Sequence, residues 1–232
     1  MNNIKIISIE GNIGSGKSTL LEQLKQHFSN NECILCLREP LDEWNNITDE
    51  KGETILSKFY ADPNKYSFTF QIMAYISRLN LIKDTFKQIQ SSNTYSSEKK
   101  YIIITERSLY TDKMVFAKML FNTGKIEYIN YKIYLHWFDS FIKEFPIEKI
   151  IYVKADPTIC YDRIYLRNRD GEEKISLDYL ISCDNYHENM LNNSSNDCLC
   201  NVQLILNGND NIYENIDILN SWIIQIEDFI QI

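Results

Sequence analysis

The strongest constraint on this chain is an eight-residue segment near its start, Gly11-Asn12-Ile13-Gly14-Ser15-Gly16-Lys17-Ser18, which fits the phosphate-binding pattern G-x-x-x-x-G-K-[ST]. The pattern works only between a strand and a helix. The sequence supplies both, an apolar run from Ile4 to Ile9 before it and a helical one from Leu20 to Phe28 after it. Glycines let the backbone wrap round an anion with its N–H groups pointing inward. The following helix offers its positive end to the same anion. Lys17 reaches the outer phosphates, and the Ser18 hydroxyl, with Thr19 beside it, suits Mg²⁺. A nucleoside triphosphate is the expected ligand of residues 11–19, which leaves the acceptor to be found.

Four more short apolar runs follow the first strand (Lys5–Glu10): Cys33–Arg38, Tyr101–Thr105, Ile150–Lys154 and Val202–Leu206. Helical patterns separate them, so the chain reads as alternating βα units around a five-stranded parallel sheet with helices on both faces. This is an α/β fold of the P-loop, three-layer α/β/α kind, in one domain over 1–232. Ser67–Ile89 carries Phe70, Met73, Ile76, Leu79, Ile82, Phe86 and Ile89 at helical spacing. A polar connector fills 91–100, a helix is expected over 129–145, and Asp156-Pro157 opens another as N-cap and first turn. Asn192–Asp197 reads as a polar loop, and Ile212–Ile230 as the last helix.

Apolar residues make up 44% of the chain and its net charge is −8, which suits a globular protein and argues against a general nucleic-acid binder. No apolar run is long enough to span a membrane. The early first strand leaves no room for a targeting peptide, so a cytoplasmic setting is expected. Cys33-x-x-Cys36 lies in a predicted strand, where its two thiols point to opposite faces. Cys198-x-Cys200 has the wrong spacing for a zinc knuckle. The six cysteines read as thiols in a reducing compartment.

Ligands of parallel sheets bind at the carboxyl ends of the strands. Those ends deliver the phosphate loop, Arg38-Glu39-Pro40, Glu106-Arg107-Ser108 and Asp156-Pro157. A carboxylate beside a phosphate loop can hold Mg²⁺ or take a proton from an attacking hydroxyl, and Glu106 and Glu39 are candidates for the two jobs. Arg163, Arg167 and Arg169 gather near the end of one helix, where guanidiniums can neutralise a transferring phosphoryl group. The acidic run Asp170-Gly171-Glu172-Glu173 after them suggests a lid over about 163–176 that closes over the phosphates.

The segments IEGNIGSGKST (9–19), REPLDEW (38–44), SFTFQ (67–71) with Ser77-Arg78, TERSLYTD (105–112) and DRIYLRNR (162–169) resemble the deoxynucleoside kinase family, of the deoxycytidine kinase and deoxyguanosine kinase type. The resemblance runs from about Lys5 to the last helix. It implies an ATP- and Mg²⁺-dependent 5′-kinase of deoxynucleosides, a small-molecule enzyme that forms a homodimer. By position it makes Glu39 the general base, Arg107 its orienting partner, and Ser18 and Glu106 the Mg²⁺ environment. Tyr60 and Glu172 match the pair on the sugar 3′-hydroxyl, and Gln71 the residue on the base edge. Trp44, Phe70 and Phe116 match pocket walls, with Phe116 stacking on the base. Arg163, Arg167 and Arg169 match the lid.

Arg78 lies two turns after Gln71 on the same helix face and needs a partner, for which Asp112 is the candidate. This pair resembles the cytidine- and purine-accepting members, so thymidine is expected to be disfavoured. Ala74 resembles the deoxycytidine kinase state but also leaves room for a broad or thymidine-accepting pocket. Gly171 and Lys174 depart from most animal members. A monophosphate kinase is the rival enzyme, but Glu39 would repel an acceptor phosphate. A non-catalytic nucleotide-binding subunit is the rival of another class, and it has no need of Lys17, Glu39 and Arg107 together.

Overall fold

A computed structural model describes residues 3–169, 171–192, 194 and 198–231. Five strands, β1 (Ile4–Glu10), β2 (Ile34–Leu37), β3 (Tyr101–Glu106), β4 (Ile147–Lys154) and β5 (Gln203–Asn207), form one parallel sheet in the order β2-β3-β1-β4-β5. The first strand lies in the middle because it is apolar on both faces. Ile4 and Ile6 point to one side, and Ile7 and Ile9 to the other.

Each face has its own helices. Ile4, Ile6 and Ile103 pack on α4 (Pro63–Ser91) and α7 (Tyr128–Phe141) through Tyr75, Leu79, Ile82, Phe86, Tyr134 and Phe138. Ile7, Ile9, Ile104, Ile151 and Val153 pack on α1 (Lys17–His27) and α10 (Ile216–Ile230) through Leu20, Leu24, Leu219, Trp222 and Ile226. The expected three layers are thus present. Cys33 joins the first cluster and Cys36 the second, so that pair spans the two faces. Among the described residues no helix is long and apolar enough to cross a membrane.

Four boundaries differ from the sequence reading. Helix α4 begins at Pro63, earlier than Ser67, because Asp62 caps it by accepting from the Lys65 N–H at 3.3 Å. Strand β4 begins at Ile147, earlier than Ile150, because Ile147 pairs with Ile6 across a register shift. Helix α10 begins at Ile216, later than Ile212, because the Asn215 carboxamide accepts from the N–H groups of Asp217 and Ile218. The helix expected over 129–145 ends at Phe141 and continues as a 3₁₀ turn, Ile142–Glu144. Of the polar loop Asn192–Asp197, residues 193 and 195–197 lie outside the described residues. Asp170 of the acidic run does so too.

Two short helices, α2 (Leu41–Asn46) and α3 (Ile55–Ala61), occupy a stretch whose apolar pattern is too short to announce them. After β3 come α5 (Leu109–Thr111), a π-helical turn over Asp112–Ala117, and α6 (Lys118–Asn122). The remaining helices are α8 (Pro157–Arg167) and α9 (Leu177–Leu191). With β1 flanked by β3 and β4, the chain turns to opposite sides of the sheet at β1, and a crevice opens beyond its carboxyl end.

Candidate active site

The crevice is a cavity of about 460 Å³ that runs from the phosphate loop to the helices α2, α3 and α4. The loop leaves β1 through Gly11, whose φ of 144° only glycine adopts easily. A Cβ there would lie 2.5 Å from the Val153 carbonyl oxygen, and one on Gly14 would lie 2.5 Å from that of Cys160. The loop is braced from below. Asn12 Nδ2 donates to the Leu180 carbonyl at 2.9 Å, and Asn12 Oδ1 accepts from the Ile13 N–H at 2.8 Å. Gly14, Ser15, Gly16, Lys17, Ser18 and Thr19 line the cavity. Lys17 is buried and donates to the Asn12 carbonyl at 2.5 Å. The Ser18 hydroxyl donates to Glu106 Oε1, which puts two hard oxygen donors side by side next to the loop.

Four charged side chains meet at the next two strand ends. Glu39, just past β2, accepts from Arg78 Nη2 at 2.8 Å and from Arg107 Nη1 at 3.2 Å. Arg78 also donates through Nε to Asp112 at 3.0 Å and through Nη1 to the Glu106 carbonyl at 2.8 Å. The sequence-predicted Arg78–Asp112 pair is therefore formed. Arg78 in addition grips Glu39, a contact that spacing along one helix cannot reveal. Asp112 faces the cavity and Arg78 stands behind it. Burial pushes the Glu39 carboxyl up, but the guanidiniums of Arg107 and Arg78 outweigh it and hold it down at about 2. Arg107 has φ of 61°, a left-handed turn held by its N–H to the Ile9 carbonyl at 2.9 Å. Its Nε and Nη2 are buried with no protein partner.

The far end of the cavity is aromatic. Phe70 stacks on Phe59 with ring centroids 4.7 Å apart and meets Trp44 edge-on at 5.4 Å. Trp44 donates through Nε1 to Ser77 at 2.8 Å. Gln71 and Ala74 lie on the α4 wall, and Gln71 Oε1 is buried without a protein partner. Phe116 forms the opposite wall, with the Arg107 guanidinium 5.2 Å from its ring centroid and the neutral, buried His187 against its edge. Burial pushes the Tyr60 hydroxyl well above its ordinary range, and the Glu172 charge pushes it further.

Glu172 is buried in a 3₁₀ turn after α8 and holds two of the three arginines that the sequence groups together. Arg167 donates to it through Nε at 2.7 Å, and Arg169 through Nη1 at 3.2 Å. Gly171, with φ of 85°, sits so close to α3 that a Cβ would lie 2.9 Å from Ser57 Cα. Arg163 lines the same cavity, but its guanidinium donates to backbone carbonyls between β5 and α10 and not to Glu172. Asp156 is the N-cap residue of α8 as expected, but its side chain binds Asn209 and not the helix's own N–H groups. Sequence reasoning missed Phe59, Tyr179 and the strip Asp210–Tyr213, which also line the cavity. Phe59 and Tyr179 look like ordinary apolar helix positions, and the strip carries no motif.

The whole arrangement joins a phosphate loop to a flat aromatic slot through a buried carboxylate. A model of the deoxynucleoside kinase family matches residues 7–231. The chain belongs to that family. It is a kinase, a phosphotransferase acting on an alcohol group. It is 33% identical over 229 residues to a probable deoxycytidine kinase of fowlpox virus, covering 97% of this chain and 88% of the relative. It is 34% identical over 205 residues to mouse deoxycytidine kinase (81% and 75% covered). A mitochondrial deoxyguanosine kinase of Xenopus laevis matches at 32% over 203 residues (81% and 73%).

The loop lysine yields a pH prediction. Burial and the nearby Arg107 lower the Lys17 ammonium to about 7 in the free protein. An anion in the loop favours the charged form, so its binding takes up a proton. Triphosphate affinity is therefore expected to be flat below about pH 6 and to fall up to tenfold per unit above about pH 7. Calorimetric titration in buffers of different ionisation enthalpy measures both the affinity and the proton uptake. Affinity independent of pH from 6 to 9 would refute the assignment.

Proposed function

We propose that this kinase transfers the γ-phosphoryl group of ATP to the 5′-hydroxyl of a deoxyribonucleoside, favouring deoxycytidine or deoxypurines over thymidine. The observation that carries this reading is the buried Glu39 carboxylate, held by two arginines in the same cavity as the phosphate loop. A hydroxyl presented to Glu39 is aimed at the phosphate loop, whereas an acceptor phosphate there would meet a like charge. Residues 11–19 hold the triphosphate. Ser18 and Glu106 would hold Mg²⁺, and their hydroxyl and carboxylate oxygens suit a hard cation. When bound, Mg²⁺ supplies neutralising charge between the outer phosphates. Arg107 Nε and Nη2 orient the acceptor oxygen. Tyr60 and Glu172 hold the sugar 3′-hydroxyl, and Arg167 and Arg169 meet the phosphoryl group as they turn from Glu172.

A carboxylate held at about 2 is a weak base. The proton therefore moves late, after bonding to phosphorus has acidified the hydroxyl, and Glu39 mainly holds the nucleophile in line. Glu39→Gln is expected to lower kcat by about 10²–10⁴ while weakening nucleoside binding far less. Because Glu39 stays ionised, wild-type kcat should show no acidic limb from this group between about pH 4 and pH 7. Near-normal turnover in the variant would remove Glu39 from the mechanism.

Base choice rests on Asp112 and Gln71 at the aromatic end. Burial pushes the Asp112 carboxyl up and the Arg78 guanidinium opposes that rise; as the carboxylate, Asp112 would accept from an exocyclic amino group and repel the thymine carbonyl. The Arg78–Asp112 pair also fills the space that a 5-methyl group needs. Initial rates with ATP and each of the four deoxynucleosides are expected to place thymidine last. Arg78→Met with Asp112→Ala should raise thymidine relative to the others by ten- to a few hundred-fold, the worth of ~1–3 kcal/mol. It should also lower every absolute rate, because Glu39 loses one of its arginines. Thymidine already ranked first in the wild type would sink the idea.

A homodimer is part of the same reading. Ile129, Ile133 and Trp137 lie four residues apart on α7 and are 61%, 42% and 48% exposed, with Ile76 of the adjoining α4 at 40%. Such an apolar stripe fits a second copy of this chain. The buried free thiols Cys160 and Cys183 fit a reducing cytoplasm. Light scattering should give twice the chain mass at micromolar concentration, and the chain mass for Ile133→Glu with Trp137→Ala. A monomeric wild type would refute the dimer.

A further inference from the structure

Arg163 is grouped by sequence with the phosphate-binding arginines and lines the same cavity, yet its hydrogen bonds run to main-chain carbonyls. Nη1 donates to the carbonyls of Gly208 at 2.6 Å and Ser15 at 3.5 Å, and Nη2 to those of Asp210 at 3.1 Å and Asn209 at 3.3 Å. A guanidinium has five N–H bonds, four of them on its two terminal nitrogens. These contacts occupy both terminal nitrogens, the one to Ser15 being the longest, and Nε–H is left. A bidentate grip on a phosphoryl group would need at least one of these bonds to break.

The turn that Arg163 holds is fixed from the other side as well. The Gly208 N–H donates to the Lys154 carbonyl at 2.6 Å. Asn209 accepts from the Asp156 N–H at 2.8 Å and donates to the Asp156 carboxylate at 3.0 Å. Downstream, Asp210, Asn211, Ile212 and Tyr213 line the cavity on the phosphate-loop side. The Tyr213 hydroxyl hydrogen-bonds Thr19 at 2.8 Å, so the strip closes back on the loop. The turn is short and polar, and Arg163 is the side chain that links it to Ser15 of the phosphate loop.

We infer that Arg163 is a positioning residue. It straps the 208–210 turn to the phosphate loop and so sets the Asp210–Tyr213 wall against the donor nucleotide, leaving phosphoryl contact to Arg167 and Arg169. The inference rests on the reading of residues 11–19 as the triphosphate site. Loss of the strap weakens the donor's hold while the acceptor end, built on α3, α4 and Phe116, is untouched.

Asn209→Ala releases the same turn from its far side without altering the guanidinium. Titration with a non-hydrolysable ATP analogue is expected to show a Kd raised about tenfold or more for Arg163→Ala, the worth of one lost charge-assisted hydrogen bond. A smaller rise is expected for Asn209→Ala. Steady-state rates should show the donor KM rising by more than kcat falls, with the nucleoside KM unchanged. Arg163→Lys, which can keep one or two of the carbonyl bonds, should lie between. Donor affinity unchanged in Arg163→Ala with kcat down a hundredfold would overturn the proposal in favour of direct phosphoryl contact. Should Arg163→Ala fail to fold, Asn209→Ala decides, and wild-type donor affinity in it overturns the strap alone. A wild-type protein that binds no triphosphate overturns both the strap and the phosphate-loop reading beneath it.

Discussion

Buried charge must be matched by opposite charge, and around that requirement the active end of this protein is organised. Glu39, Arg78, Arg107 and Asp112 lie close together with little access to water, two cations against two anions. Each comes from a different element: the end of β2, the middle of α4, the end of β3 and the π-helical turn. None of the four elements can shift without leaving a charge unpaired in a poorly solvated place, which costs several kcal/mol. The network contributes little net stability by this reckoning. Its effect is to fix one arrangement of four chain segments.

That arrangement divides the cavity by chemistry. On one side lie backbone N–H groups, Lys17 and hydroxyls, which suit anions. On the other lie Trp44, Phe59, Phe70 and Phe116, which suit a flat ring and bind it with little loss of conformational freedom. The Glu39 carboxylate lies between them. The orphaned donors of Arg107 and the orphaned Gln71 oxygen show the same division at atomic scale, the donors beside Glu39 and the oxygen on the aromatic side.

Much of this was legible in the sequence. Strands β1, β2, β3 and β5 fall within one or two residues of their apolar runs because a buried parallel strand must be apolar on both faces. The phosphate loop, Glu39, Glu106 and Arg107 could be found because parallel sheets put ligands at strand ends. What escaped was set by contacts distant in sequence. Nothing near Arg78 announces Glu39, 39 residues away. Nothing near Arg163 announces the carbonyls of 208–210. Asp62-Pro63 was different. It carries the same cap signal as Asp156-Pro157, and the apolar pattern that begins at Ser67 hid it.

Gly171 carries one more consequence. Its missing side chain lets the turn after α8 rest directly on the backbone of Ser57, with no clearance to spare. Position 171 is a mechanical stop of zero thickness. Any Cβ there would act as a wedge between the turn and α3, and would move Glu172 and its two arginines outward together. The spacing between α3 and the turn that carries Glu172 is therefore set by an atom that this residue lacks.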